Sequence, residues 1–132
     1  MKTTIALLIA AFGLTLATHA EDAPKLPPVA TKSGVTFTND IKPIFDIACI
    51  KCHDSAKPKQ AAKLSLDTRE GVLKGDRDGK VVITGDSAKS DLVLSVAHIG
   101  EPDTFMPKGK GAKKLTDEQI GLIRAWIDQG AK

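Results

Sequence analysis

Both cysteines of the chain fall within one pentapeptide, Cys49-Ile50-Lys51-Cys52-His53. The rest of the sequence makes that pentapeptide matter. Beyond the first twenty residues the aromatic side chains are Phe37, Phe45, Phe105 and Trp126, with no Tyr in the 132-residue chain. A small domain this poor in large apolar side chains has difficulty building a core from side chains alone. It needs a staple, and the cysteines are where to look for one.

The first twenty residues stand apart from that domain. Lys2 supplies a short positive start, and Ile5 to Leu16 forms an apolar run. Thr18-His19-Ala20 then offers the small residues that a signal peptidase reads. This is the pattern of a secretory signal peptide, residues 1–20, with cleavage after Ala20. The apolar run is shorter than the roughly 20 residues of a membrane span, so an uncleaved anchor is the weaker alternative. No direct membrane insertion is expected after cleavage, and the expected compartment is the periplasm. Removing Lys2 from 19 basic residues leaves 18 against 16 acidic ones, a formal charge of +2. That balance, with aromatics scarce, argues against nucleic acid as a partner.

Residues 21–34 contain Pro24, Pro27 and Pro28 without an apolar period and read as a flexible Pro-rich leader. Residues 35–132 then read as one domain. Asn39 or Asp40 is the expected cap of a first helix. Ile41, Ile44, Phe45 and Ala48 fall on one face of it, and Pro43 is tolerable near its first turn. Ser55 to Lys63 reads as loop. Asp67-Thr68-Arg69-Glu70 has capping-box spacing, opening a short helix that ends at Gly75. Val81-Val82-Ile83 is compatible with a short extended segment. Ser87 or Ser90 is expected to cap a third helix through Leu92, Val93, Val96 and Ala97, closing at Gly100. Glu101 to Lys114 reads as a long loop. Thr116 to Gln119 is a second capping box, followed by Ile120, Ile123, Trp126 and Ile127 on one face, with a stop at Gly130. The fold class is all-α: several short helices with long loops.

Cys-x-x-Cys-His is haem-attachment spacing. Two thioether bonds must reach two vinyl groups on one edge of the macrocycle. Residues three and four apart on a helical turn project from the same side, so one turn can deliver both sulfurs and set His53 over the iron. A structural or redox disulfide is one alternative, because exported proteins hold disulfides. A thioredoxin-like Cys-x-x-Cys would need a βαβ context, which the pattern lacks. A structural zinc site needs four ligands, and beyond residue 20 the only candidates are two Cys, His53 and the distant His98. One covalently bound haem c is therefore the expected cofactor.

The inventory for a sixth iron ligand is short. Met106 is the only Met beyond Met1, and it precedes Pro107, which disfavours helix at Met106 and stiffens its backbone. A loop thioether facing a proximal His is the His/Met ligation of electron-carrying cytochromes. The alternative is a gap-filling core Met. His98 is the other candidate ligand; a His in the last turn of a helix is also favourable through the dipole alone. Lys108, Lys110, Lys113 and Lys114 cluster near Met106, either as a rim steering an acidic partner or as a solvated loop. Arg69 reads either as a haem-propionate partner or as a surface helix residue.

These residues line up with a family. The chain resembles the planctomycete-type cytochrome c domain, a class I-like c-type cytochrome, from Val35 to Ala131. The resemblance runs through Phe37-Thr38-Asn39-Asp40-Ile41-Lys42-Pro43-Ile44, the attachment motif and Leu64-Ser65-Leu66-Asp67-Thr68-Arg69-Glu70-Gly71. It continues through Gly85-Asp86-Ser87-Ala88-Lys89-Ser90-Asp91-Leu92, Met106-Pro107, Lys114-Leu115-Thr116 and Arg124-Ala125-Trp126-Ile127-Asp128-Gln129-Gly130-Ala131. It implies a small class I-like fold around one covalent haem, with the first and last helices crossing beside it and Phe45 and Trp126 at their contact. It also implies Cys49 and Cys52 as attachment points, His53 as proximal ligand and Met106 as distal ligand. The expected function is electron transfer with unidentified redox partner proteins, not enzyme catalysis. A haem enzyme or gas-binding protein with a labile sixth site is an alternative, as is a haem subunit docking on a larger redox complex.

Overall fold

The computed structural model describes residues 25–57 and 61–132. The expected signal peptide with its cleavage point, and residues 21–24 of the expected leader, lie outside the described residues. The described residues are helical, with no strand among them, as the sequence pattern predicts.

The helical part opens at Thr36. Its hydroxyl accepts the Asn39 amide at 3.3 Å, and one wide π-type turn, Phe37–Ile41, follows. The turn runs straight into helix α1, Lys42–Ala48, with Pro43 in the first turn where its missing N–H is not needed. The cap is therefore Thr36, upstream of the expected Asn39 or Asp40. Asp40 acts backward instead. Its carboxylate accepts the Thr36 amide at 2.9 Å and pairs with Lys32.

Helix α2, Arg69–Lys74, starts one residue later than the expected capping box. Thr68 is the cap and accepts the Gly71 amide at 3.1 Å. Asp67 is engaged elsewhere: its carboxylate accepts the amide and the hydroxyl of Ser55, which holds it below the usual carboxylate range. The helix ends at Gly75 as expected, at φ 88. Only glycine fits there, since a Cβ would lie 2.0 Å from the Gly79 carbonyl oxygen.

Val81-Val82-Ile83 forms no strand. Val81 and Val82 are buried, the Val81 carbonyl accepts the Leu92 amide at 2.9 Å, and the Ile83 amide donates to the Ser90 hydroxyl at 2.9 Å. The segment is thus tied side-on to the start of helix α3, Asp91–Ala97. Ser90 precedes α3 but its hydroxyl does not cap it, donating instead to the Asp86 carbonyl at 2.8 Å. The helix stops at His98, whose backbone is left-handed (φ 58, ψ 47), before the expected Gly100.

Helix α4, Asp117–Asp128, carries the expected capping box: the Gln119 amide donates to Thr116 Oγ1 and the Thr116 amide to Gln119 Oε1. Its predicted face, Ile120, Ile123, Trp126 and Ile127, is fully buried. Phe45 is buried too, but Phe37 carries the aromatic contact. Its ring lies 5.7 Å from Trp126 and 6.2 Å from Phe45, centroid to centroid. Trp126 also donates its indole N–H to the Lys132 carbonyl at 2.8 Å. Truncating a buried Trp of this kind costs about 3–5 kcal/mol.

Part of the segment expected to be a flexible leader is bound to α4. Arg124 donates to the Pro27 carbonyl, the Ala30 amide to the Gly121 carbonyl at 3.0 Å, and Gln129 Nε2 to the Lys32 carbonyl at 2.8 Å. The leader lies so close that a Cβ on Gly121 would come 2.7 Å from the Pro28 carbonyl oxygen. Segments without an apolar period can still order when their backbone groups find fixed partners. Among the described residues no helix is long and apolar enough to cross a membrane.

Gly121→Val should push the Pro-rich segment off α4 without dissolving the helix. Trypsin should then cut after Lys32 faster than in the parent, while far-ultraviolet circular dichroism stays the same. Equal cleavage rates would mean that the contact does not hold the segment.

Candidate cofactor site

The Cys49–His53 motif forms a single hydrogen-bonded turn directly after α1. The Cys49 carbonyl accepts the Cys52 amide at 3.1 Å and the His53 amide at 3.0 Å. Upstream, the Cys49 and Ile50 amides both donate to the Phe45 carbonyl. Downstream, the Leu66 amide donates to the His53 carbonyl at 2.8 Å and the Ala61 amide to the Cys52 carbonyl at 3.1 Å. The turn is thus fastened at both ends, and the side chains of Cys49, Cys52 and His53 reach one cavity.

That cavity has a volume of about 1300 Å³. Ordinary ligand pockets run to about 300–1,000 Å³. Its walls are mainly apolar: Leu64 and Leu66 after the motif, Val81 before α3, and Leu92, Val96 and Ile99 from α3 and its end. Met106 lines the same cavity from the loop between α3 and α4, and is half-buried. The structure therefore brings Cys49, Cys52, His53 and Met106 to one space. A second hollow of about 420 Å³ lies elsewhere and holds Arg69. Arg69 Nε donates to the Ala131 carbonyl at 2.6 Å and does not border the larger cavity.

The electrostatics separate the candidate chemistries. Cys49 and Cys52 are not joined in a disulfide. Burial pushes the Cys49 thiol up to about 12. Reactive redox cysteines have lowered values, so this environment does not fit a thioredoxin-like exchange centre. Among the described residues no group of three or more His, Cys, Asp and Glu side chains is placed to hold a metal ion. His53 is 8% exposed. Burial lowers its pKa, with the backbone at Leu64 and Ala61 pulling it partly back, so the neutral ring prevails at neutral pH. Its Nδ1 is buried and has no hydrogen-bond partner.

His98, the other candidate ligand, also ends near Met106 but in a different role. Its Nε2 lies 2.9 Å from the Met106 carbonyl oxygen. A carbonyl only accepts, so Nε2 carries the proton and is committed to that bond. The imidazole also stacks on Phe105, with centroids 4.7 Å apart and planes within 5°. Sequence reasoning treated His98 as a ligand or a dipole partner and missed this contact. The available signal was its position at the helix end, since His is one of the few residues that enter the left-handed region readily. Lys108, Lys110, Lys113 and Lys114 all border the cavity and are exposed, and Lys108 donates to the Asp103 carbonyl.

Residues 49–109 match the family model described as Planctomycete cytochrome C. The match begins at Cys49 and passes Met106, so it contains the whole Cys49–His53 turn and the segment around Met106. A chain of Kuenenia stuttgartiensis hydrazine synthase is similar in structure, with a TM-score of 0.51 and 28% identity over 74% of this chain. The similarity covers 16% of that chain, so this protein corresponds to a small part of its length. No curated protein matches the chain.

The cytochrome c family implies haem c, and the residues fit it. Two thiols and an imidazole stand on one turn beside a mainly apolar cavity of sufficient size, and a thioether lines the same space. The mainly apolar walls enclose about 1300 Å³ of space. Chain produced without haem should therefore be expanded, with weak near-ultraviolet circular dichroism from Trp126 and strong binding of a hydrophobic dye. A cooperative thermal transition equal to that of the haem-loaded protein would contradict this.

Proposed function

We propose that this protein is an exported, periplasmic c-type cytochrome that carries single electrons between redox proteins. The observation that supports it most is the convergence of Cys49, Cys52, His53 and Met106 on one mainly apolar cavity. Cys49 and Cys52 hold the haem as thioethers, His53 supplies the proximal ligand and Met106 the distal one. When bound, haem supplies a one-electron ferric–ferrous couple. The remaining work belongs to the chain. Leu64, Leu66, Val81, Leu92 and Val96 keep water from the site and so favour the less charged, reduced state. The thioether of Met106 favours the ferrous state relative to a second imidazole. The ring nitrogen of His98 that faces the loop is bonded to the Met106 carbonyl, which weighs against His98 as the ligand.

A second reading rests on the hydrazine synthase likeness: a haem-bearing module that works beside a larger redox enzyme. In that case the native protein would migrate with a partner, and a free monomer would count against it.

Two measurements test the carrier. Denaturing mass spectrometry of protein matured with cytochrome c assembly machinery should give the polypeptide plus one haem, beginning at Glu21; a bare polypeptide mass sinks the proposal. Met106→Ala should abolish the weak near-infrared band of sulfur-to-iron charge transfer and lower the reduction potential. An unchanged spectrum in Met106→Ala would rule out Met106 as a ligand.

A further inference from the structure

Met106 is held by its own backbone at two points, and both lie at the end of α3. Its amide donates to the Ser95 carbonyl at 3.0 Å, and its carbonyl accepts from His98 Nε2 at 2.9 Å. The imidazole that makes the second bond is itself fixed by stacking on Phe105, the residue before Met106. It is aimed there by an unusual backbone, because His98 is the C-cap of α3 and sits in the left-handed region. Its amide still donates to the Leu94 and Ser95 carbonyls, so the helix end is closed while the ring turns toward the loop.

A helix stop alone does not account for this residue. Glycine adopts the left-handed conformation without a Cβ conflict and is the usual residue at such an end. Here a bulkier side chain occupies the position, and its ring makes the two contacts that a glycine would forfeit. We infer that His98 is a positioning residue for the distal ligand: a ring clamp that fixes the Met106 loop to α3 and so keeps the Met106 thioether in the haem cavity. The inference rests on the reading of Met106 as the distal ligand. It assigns to His98 a role through Met106, with no contact to the iron.

His98→Gly separates the clamp from the helix stop, since it relaxes the backbone and removes only the ring. The experiment uses the haem-loaded protein and follows cyanide binding to the ferric form, the near-infrared sulfur band and the reduction potential. The clamp predicts that His98→Gly keeps or raises the melting temperature. It also predicts cyanide binding about three- to ten-fold faster, the range expected when one hydrogen bond no longer holds the ligand closed. The band should weaken and the potential fall. Phe105→Ala, which removes the stack, should shift the same readings in the same direction. His98→Gln, which retains an N–H donor, should recover part of the parent behaviour. If His98→Gly binds cyanide at the parental rate with an unchanged band while Met106→Ala changes both, the clamp is wrong and the ligand assignment stands. If Met106→Ala changes neither, the ligand assignment fails and the clamp fails with it.

Discussion

The Cys49 carbonyl accepts two amides, those of Cys52 and His53, and the remaining architecture is arranged around that turn. A free chain would spread three side chains over many conformers. The doubly accepted carbonyl restricts them to one turn with its side chains reaching one cavity. Phe45 anchors the turn from upstream through its own carbonyl, and its ring is fully buried against Phe37. Phe37 in turn meets Trp126 on α4. The motif turn is thus connected to the buried face of α4 through one helix and one aromatic ring. That path matters because a ligand set must be held within a fraction of an ångström by the shell behind it.

The opposing elements solve a different problem. The loop between α3 and α4 has many glycines and lysines and few buried side chains, so it lacks a core of its own. It is stabilised by local polar contacts: Thr104 to the Glu101 carbonyl, Lys108 to the Asp103 carbonyl, and the paired bonds of Met106 to Ser95 and His98. One side of the cavity is therefore built by packing and the other by hydrogen bonds to a helix end. Hydrogen-bonded loops open more readily than packed cores. If Met106 is the distal ligand proposed above, ligand exchange would begin on its side of the cavity.

Much of this was legible in the sequence, and the reasons are local. The face of α4 was readable because four apolar residues share one period behind a reciprocal Thr116–Gln119 cap. The cavity-facing motif was readable because its spacing is itself chemical. The errors arose where a polar side chain had more than one use. Asp67 has the right spacing for a cap, but Ser55 claims its carboxylate and Thr68 caps instead. Asp40 was expected to cap forward and instead binds back to Thr36 and Lys32. The Pro-rich segment gave no apolar signal because much of what ties it to α4 is its own backbone, bonded to Arg124, Gly121 and Gln129. His98 was visible as a residue but not as a conformation, and the left-handed backbone is what turns its ring to Met106.

The central claim is that one thioether and one imidazole complete the coordination of a single iron in this cavity. X-ray absorption at the iron edge of the haem-loaded protein measures that shell directly. The account predicts one sulfur scatterer in the first shell alongside the nitrogens, retained on reduction. A shell of nitrogen alone would contradict it.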